Sequence, residues 1–201
     1  MRTLCPVIGL LASGLLFPSS LAMGQWQLGL ELATHSYHGT SRDTSDSTVT
    51  FHLGPGGGLS YTLSIGRNWR RFGATLRLAY ANPGLAASAP GFTISDKRTG
   101  ALLESALLLG TRVGGIGPSG AVRIELGPSL HLWNFGEYRT RVGAVGGLTY
   151  AWPVAGRFTG NLRVEGMLSP SWLDAAEVPS DVERLPTWRY GVGVGLRYRL
   201  T

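Results

Sequence analysis

The C-terminal part of the chain alternates strictly between apolar residues and residues of other kinds. From Trp188 to Leu200 every even position is Trp, Tyr, Val or Leu, and every odd position is Arg or Gly. Successive side chains of a β-strand leave opposite faces, so a period of two predicts a strand. The alternation alone leaves open whether the apolar face packs against a protein core or contacts lipid.

Seven further segments, each about ten residues long, show the same alternation. The eight predicted strands are Trp26–Tyr37, Gly58–Gly66, Phe72–Tyr80, Leu103–Val113, Ala121–Leu132, Arg141–Trp152, Phe158–Leu168 and Trp188–Thr201. Pro128 falls on the apolar phase of its strand and cannot donate a ladder hydrogen bond, so we expect a bulge there. No later stretch approaches the roughly 18 consecutive apolar residues of a transmembrane helix. The pattern therefore predicts an all-β protein.

The lengths of the connections alternate along the chain. Three connections are predicted to be short turns: Arg67–Arg71, Gly114–Gly120 and Pro153–Arg157. Three are predicted to be long polar links: His38–Gly57, Ala81–Leu102 and Ser169–Thr187. The connection Asn134–Thr140 is intermediate in length. The short ones are rich in Gly, Pro and Asn, as turns are. Because consecutive strands run in opposite directions, the short turns gather at one end of the sheet and the long loops at the other.

The first 24 residues have the features of a secretory signal peptide. Met1 and Arg2 form a basic start, Pro6–Phe17 is an apolar run, and small residues follow at Ala22 and Gly24. Cleavage is expected before Gln25 or after Ala22. A retained anchor is the alternative, but the run is shorter than the roughly 20 residues that span a bilayer. The predicted mature domain, residues 25–201, contains no cysteine and so has no disulfide.

Composition helps to decide which face of the strands meets water. Charged residues make up 15% of the chain, below the roughly 25–35% of a well-solvated surface. The chain has seventeen arginines and a single lysine, Lys97. The arginines are scattered along alternate strand positions, which argues against a nucleic-acid partner. A soluble barrel with an apolar interior would expose a Gly-, Ser- and Arg-rich wall almost without lysine. The composition instead favours apolar side chains that face lipid.

The other face then lines a lumen. Eight strands close a barrel whose interior is just wide enough to be filled by side chains, and charges are tolerated there when they pair. The inward phase predicts a lumen charge network of Glu31, Arg77, Glu104, Arg112, Arg123, Glu125, Arg163, Glu165 and Arg197. Within it, Arg197 on the last strand is expected to pair with a glutamate of the first strand, such as Glu31.

Aromatic residues lie near both ends of the predicted strands, as expected for the two interfaces of a membrane. Those assigned to this aromatic girdle are Trp26, Tyr37, Phe72, Tyr80, Trp133, Tyr150, Trp152, Phe158, Trp188, Tyr190 and Tyr198. The sequence therefore predicts an antiparallel, up-and-down transmembrane β-barrel of eight strands.

At this point residues 25–201 resemble the small eight-stranded outer-membrane β-barrels of Gram-negative bacteria, of the OmpA/OmpX-like kind. The resemblance implies short turns in the periplasm, long loops outside, contact with outer-membrane lipid and lipopolysaccharide, and a monomer. It also implies assembly by periplasmic chaperones and the barrel-assembly machinery, with a signal carried by Tyr190, Leu196, Tyr198 and Leu200. That family commonly ends on Phe or Trp, whereas this chain ends on Leu200-Thr201.

A barrel of this kind does not fix an activity, and three hypotheses remain. The first is a structural or surface barrel with a lumen plugged by Arg/Glu pairs. The second is a narrow channel or small-solute transporter that prefers anions, because arginine exceeds glutamate and the last strand adds Arg189 and Arg199.

The third hypothesis is a lipid-modifying enzyme, since some barrels that this chain resembles act on lipid A. Its candidate residues are Ser129, His131 and Glu137. In the lipid A deacylase barrels that this chain resembles, the motif runs His-x-Ser and faces lipid. Here the order is reversed, and the alternation directs Ser129 and His131 inward. We therefore predict that the protein is not an enzyme.

Four histidines, His35, His38, His52 and His131, fall toward the long-loop end. They could bind a metal, but apart from His35-x-x-His38 no pair has a close ligand spacing. Solvated loop histidines are the favoured interpretation, and no metal or cofactor is expected.

Overall fold

The computed structural model describes residues 24–43, 52–89, 91–96, 100–117, 119–174 and 182–200. These residues form eleven β-strands and no helix. The strands are β1 (Gln25–Asp43), β2 (His52–Pro55), β3 (Gly58–Trp69), β4 (Phe72–Ala81), β5 (Leu85–Ala89), β6 (Phe92–Asp96), β7 (Ala101–Gly114), β8 (Ala121–Asn134), β9 (Tyr138–Ala155), β10 (Phe158–Ser169) and β11 (Val182–Arg199). The predicted signal peptide lies almost entirely outside the described residues.

Eight of these strands close into an antiparallel barrel. Their order around the ring is β1-β3-β4-β7-β8-β9-β10-β11, and β11 pairs back onto β1. The seam between β11 and β1 runs from the pair Gln27↔Arg199 to the pair Asp43↔Val182. Every barrel strand pairs on both sides, so the ladder satisfies the backbone N–H and C=O groups without water. The predicted up-and-down barrel of eight strands is confirmed.

The three short strands extend the sheet at the long-loop end. β2 pairs with the outer end of β1, where Ser41 lies opposite Leu53, and its other edge pairs with β5. β5 and β6 then form a hairpin that ends the extension. Two of the links predicted to be long polar connections therefore contain strand structure of their own.

Connections at the opposite end are tight, as predicted. Arg70 and Arg71 alone join β3 to β4, and Gly156 and Arg157 alone join β9 to β10. Arg70 has a φ of 30° and Gly156 a φ of 49°, so both turns use the left-handed region, which costs less at glycine. At the long-loop end, residues 135–137 join β8 to β9. This connection is shorter than predicted because both strands extend beyond their predicted ends.

The bulge expected at Pro128 is not there. Pro128 lies opposite Ala144 of β9 in an unbroken register. Toward β7, pairing stops after Ala106↔Ser129 and resumes at Leu109↔Leu126 in the same register. The missing N–H of proline is thus accommodated by a local gap in the ladder and not by an extra residue. Register irregularities occur instead near the strand ends, between Arg112 and Gly114, for example.

The outer wall of the barrel is apolar. Large exposed apolar side chains occur on all eight barrel strands, and Leu30 and Leu126 of this wall are 66% and 63% exposed. A water-soluble surface rarely carries an apolar patch of more than a few hundred Å², and this one encircles the molecule. The belt therefore matches a surface that contacts hydrocarbon. Among the residues described, no helix is long and apolar enough to cross a membrane.

Candidate functional site in the barrel lumen

The inward-facing residues form a buried charge network centred on Glu165 of β10. Its carboxylate accepts hydrogen bonds from Arg77 Nη1 at 2.6 Å, Arg163 Nε at 2.8 Å and Arg189 Nη2 at 2.8 Å. The side chains of these four residues are no more than 5% exposed. In this low-dielectric setting each guanidinium needs a carboxylate partner, and Glu165 serves three of them.

Two of the ion pairs cross the whole lumen. Arg77 lies on β4 and Glu165 on β10, which are four strands apart in the ring of eight and therefore on opposite walls. Arg189 of β11 pairs in the same way with Glu104 of β7, with Nη1–Oε2 and Nη2–Oε1 distances of 2.8 and 3.1 Å. This second pair is bidentate, which fixes both its direction and its distance. The two pairs place charged side chains across the middle of the barrel.

Further polar groups tie the remaining carboxylates to the network. Glu31 accepts from Arg77 Nη2 and from Asn161 Nδ2, both at 3.0 Å. Glu125 accepts from Arg163 and, at 3.3 Å, from Thr149 Oγ1.

Two buried histidines complete the polar interior. His131 Nε2 lies 3.2 Å from Glu104 Oε2. His35 shares a hydrogen bond with Ser60 Oγ at 3.2 Å. The interpretation of the histidines as solvated loop residues is therefore wrong for these two, which are 6% (His35) and 0% (His131) exposed.

Three residues of the predicted network, Arg112, Arg123 and Arg197, make no ion pair among the described residues. Arg123 is half-buried, and its Nε has no hydrogen-bond partner there. Arg112 is exposed at the short-turn end, where its Nε donates to Gly114 O at 3.4 Å. Arg197 is buried but does not pair with Glu31, because the register of the seam sets it opposite Gly29. Arg189, eight residues earlier on the same strand and on the same face, makes the ion pairs that were expected of Arg197. Arg189 has the same odd, inward-facing phase as Arg197, and this phase could have predicted it as a member of the lumen charge network.

An apolar cluster fills the lumen toward the long loops. It includes Trp133, which is completely buried, and Tyr37 and Trp172, which are 8% and 7% exposed. The ring of Phe135 lies 5.6 Å from that of Trp133 and 4.7 Å from that of Trp172. Tyr37 and Trp133 were predicted for the aromatic girdle and do not belong to it. Both occupy odd positions on strands whose even positions face outward, so the alternation itself points them inward.

The segment 170–174 folds over this cluster and carries Trp172. Arg141 Nε donates to Ser171 O at 2.8 Å, and Arg141 Nη2 lies 2.6 Å from Asp174 Oδ1. Arg139 donates to Trp172 O at 3.2 Å, and its Cζ lies 5.5 Å from the centre of the Trp172 ring. We call residues 170–174 the cap. Residues 170–174 show no strand alternation, so the cap could not be predicted.

The other girdle aromatics lie on outward-phase positions of the wall, among them Trp26 near the start of β1. Phe158 and Tyr198 pack at 5.1 Å between ring centres, and Tyr150 and Trp152 at 5.6 Å. The exposed members are Phe72, Tyr80, Phe158, Trp188, Tyr190 and Tyr198. The four residues of the assembly signal, Tyr190, Leu196, Tyr198 and Leu200, also face outward and are exposed. Their role stays a prediction.

The candidate catalytic residues do not assemble into a triad. Glu137 is 78% exposed and lies 3.5 Å from Arg139, while His131 faces Glu104 inside the lumen. Ser129 is buried, and its hydroxyl has no hydrogen-bond partner within the described part of the chain. In the same residues, no group of three or more His, Cys, Asp or Glu side chains has an arrangement that could hold a metal ion.

No protein-family model matches this sequence, and no curated protein matches it. Solved structures do match. Neisserial surface protein A (NspA) superposes with a TM-score of 0.57 at 10% identity, over 87% of this chain and 97% of that one. The outer membrane protein OprG from Pseudomonas aeruginosa superposes with a TM-score of 0.55 at 14% identity, over 87% and 96% of the two chains. The chain therefore has the fold of the small eight-stranded outer-membrane β-barrels.

Proposed function

We propose that the protein resides in the outer membrane of a Gram-negative bacterium as a structural or surface barrel with a closed lumen, without catalytic activity. The proposal is supported by the two ion pairs that cross the barrel, Arg77–Glu165 and Arg189–Glu104. Opening a path between them separates buried charges, and breaking a buried pair costs about 3–5 kcal/mol. The long loops, the cap and the extension made by β2, β5 and β6 are then the parts available for interaction.

The partners follow from the same proposal. The apolar belt contacts outer-membrane lipid and lipopolysaccharide, and the exposed C-terminal strand engages the barrel-assembly machinery after escort by periplasmic chaperones. Because each barrel strand is paired on both sides, the wall offers no free edge for a second copy, which supports a monomer.

Planar-bilayer recording tests the closed lumen. The wild-type protein is expected to give no stable conductance. The lumen carries two barriers in series, the charge network and the cap with its aromatic cluster. A variant in which Arg77, Glu104, Glu165 and Arg189 are all replaced by serine keeps the charge balanced, and we expect it to conduct only when Trp172→Ala is added. A stable conductance from the wild type would overturn the proposal.

A narrow anion-preferring channel is the second candidate, and a specific observation favours it. Arg123 and Arg197 lie at the short-turn half of the lumen, and no carboxylate of the described residues stands within 4.0 Å of either guanidinium. Positive charge lining a pore attracts anions. If the wild type conducts, a reversal potential that follows the chloride gradient would support this candidate, and the loss of selectivity in Arg197→Gln would identify the residue responsible.

A further inference from the structure

The short-turn end of the barrel is basic without exception. The described residues at this end are 24–29, 64–75, 110–117, 119–123, 151–160 and 195–200, and none of them is Asp or Glu. The same segments contain eight arginines. The acidic residues of the lumen begin deeper inside, at the level of Glu125. An Asp or Glu partner for these arginines must therefore come from deeper in the lumen.

Two of the eight arginines point into the lumen. Arg197 is 8% exposed and lies against Gly29, where an added Cβ would stand 3.2 Å from its Cγ. Arg123 reaches from β8 toward β4, so that a Cβ at Gly73 would meet its Nη2. The Nε of Arg123 is buried and has no hydrogen-bond partner among the described residues. Glycine at positions 29 and 73 leaves room for both side chains.

The network above does not neutralise them. Among the described residues between the cap and the short-turn end, five guanidiniums face the lumen, those of Arg77, Arg123, Arg163, Arg189 and Arg197, against the four carboxylates of Glu31, Glu104, Glu125 and Glu165. Arg123 lies directly opposite Arg112 in the ladder between β7 and β8, and the nearest carboxylate on its own strand and face is that of Glu125. Glu125 is already engaged by Arg163 and Thr149. Since an uncompensated buried charge is unfavourable, this arrangement favours an added anion.

We propose that Arg123 and Arg197, with Arg112 at the mouth, form a binding site for a soluble phosphate group that enters from the short-turn end. We call these three residues the basic vestibule. Guanidinium groups bind phosphate oxygens with paired, charge-assisted hydrogen bonds, and the several oxygens of one phosphate can accept from more than one guanidinium. Exposed Arg112 marks the open side, while the spanning ion pairs close the inner side. Whether the lumen beyond these ion pairs conducts does not change which residues contact the phosphate.

Isothermal titration of the full chain in a zwitterionic detergent, with inorganic phosphate at low chloride, tests the site. The wild type is expected to bind one phosphate saturably, and more weakly as salt is raised. Arg123→Gln and Arg197→Gln each remove a charge-assisted contact, so each should weaken binding by about tenfold or more. The control Arg70→Gln removes an equal charge from an exposed turn outside the lumen and should change the affinity by less than about twofold. Heat-modifiable gel migration verifies folding of each variant.

A second variant adds the missing carboxylate. Thr159 of β10 lies opposite Arg197 in the ladder, so Thr159→Glu should supply an internal partner for that guanidinium. Loss of phosphate binding together with higher stability toward urea is the expected result. Titration with phosphatidylglycerol in mixed micelles with the detergent separates a lipid source, because a headgroup held outside the barrel would be insensitive to Thr159→Glu. Absence of saturable binding by the wild type, or equal loss in Arg70→Gln, would overturn the proposal.

Discussion

Arg77 Nη1 lies 2.6 Å from Glu165 Oε2, although the two residues stand on opposite walls of the barrel. This pair is part of a network in which Glu165 also binds Arg163 and Arg189. Small residues line much of the lumen and permit such crossing contacts. Glycine at positions such as Gly147 and Gly193 leaves the space that the arginine and glutamate side chains of the network occupy. The glycine-rich inner face and the charge network are therefore two parts of one arrangement.

Replacing the centre of this network should be costly. Glu165→Gln keeps the shape of the side chain but removes the charge that three buried guanidiniums share. We expect it to lower the free energy of unfolding by about 3–5 kcal/mol, as for other broken buried pairs. Urea titration of the protein in lipid vesicles, followed by tryptophan fluorescence, measures the change.

Glu137→Gln is the matched control for that measurement. Glu137 is 78% exposed and pairs with Arg139 at the rim, so its replacement should cost about 1 kcal/mol or less. Equal effects of the two substitutions would contradict the central role of Glu165.

Much of the fold could be predicted because it depends on a local pattern. The alternation from Trp188 to Leu200 fixes which side chains of the strand face outward, and the same rule holds for the other seven barrel strands. The same rule applies to the aromatic residues Tyr37 and Trp133 near the strand ends. Tyr37 and Trp133 were assigned by their position at the rim, whereas their odd phase directs them inward.

Contacts across the lumen could not be predicted in the same way. Which arginine meets which glutamate depends on the stagger between strands and on which walls oppose each other, and neither follows from one strand's pattern. Arg197 therefore faces Gly29 and not Glu31, and Arg189 takes the contacts with Glu104 and Glu165. The cap was missed for a different reason, since Trp172 stands in a link without periodicity.

The cap should protect Trp133 from water. The test uses a protein in which Trp26, Trp69, Trp152 and Trp188 are replaced by phenylalanine. In this protein Trp133 is the single fluorescent tryptophan once Trp172 is also replaced. Trp172→Ala should increase quenching of Trp133 by acrylamide and lower stability by about 3 kcal/mol, as for truncation of a buried aromatic residue. Trp172→Phe keeps a ring beside Phe135 and serves as the control. Equal quenching in both variants would show that the segment 170–174 does not cover the cluster.

The C-terminal strand should matter for assembly more than for stability. Tyr198→Ser with Leu200→Ser removes two exposed residues of the predicted assembly signal, which should lower the amount of barrel inserted in cells several-fold. Refolding of the purified variant into lipid vesicles should change little. Leu103→Ser with Leu107→Ser is the control, because these wall residues are 40% and 41% exposed, close to the 36% and 37% of Tyr198 and Leu200. The same loss of insertion in both pairs would argue against a signal.

Substitutions in the apolar outer wall test whether the barrel is surrounded by lipid or by water. Leu30 on β1 and Ile94 on β6 are both 66% exposed, but Leu30 lies within the closed barrel and Ile94 on the extension beyond it. In water, arginine at either position would change stability little. Against hydrocarbon, Leu30→Arg should cost about 2–4 kcal/mol, whereas Ile94→Arg should cost about 0–1 kcal/mol. Urea titration in lipid vesicles measures both, and equal costs would show that the belt around Leu30 does not face the bilayer core.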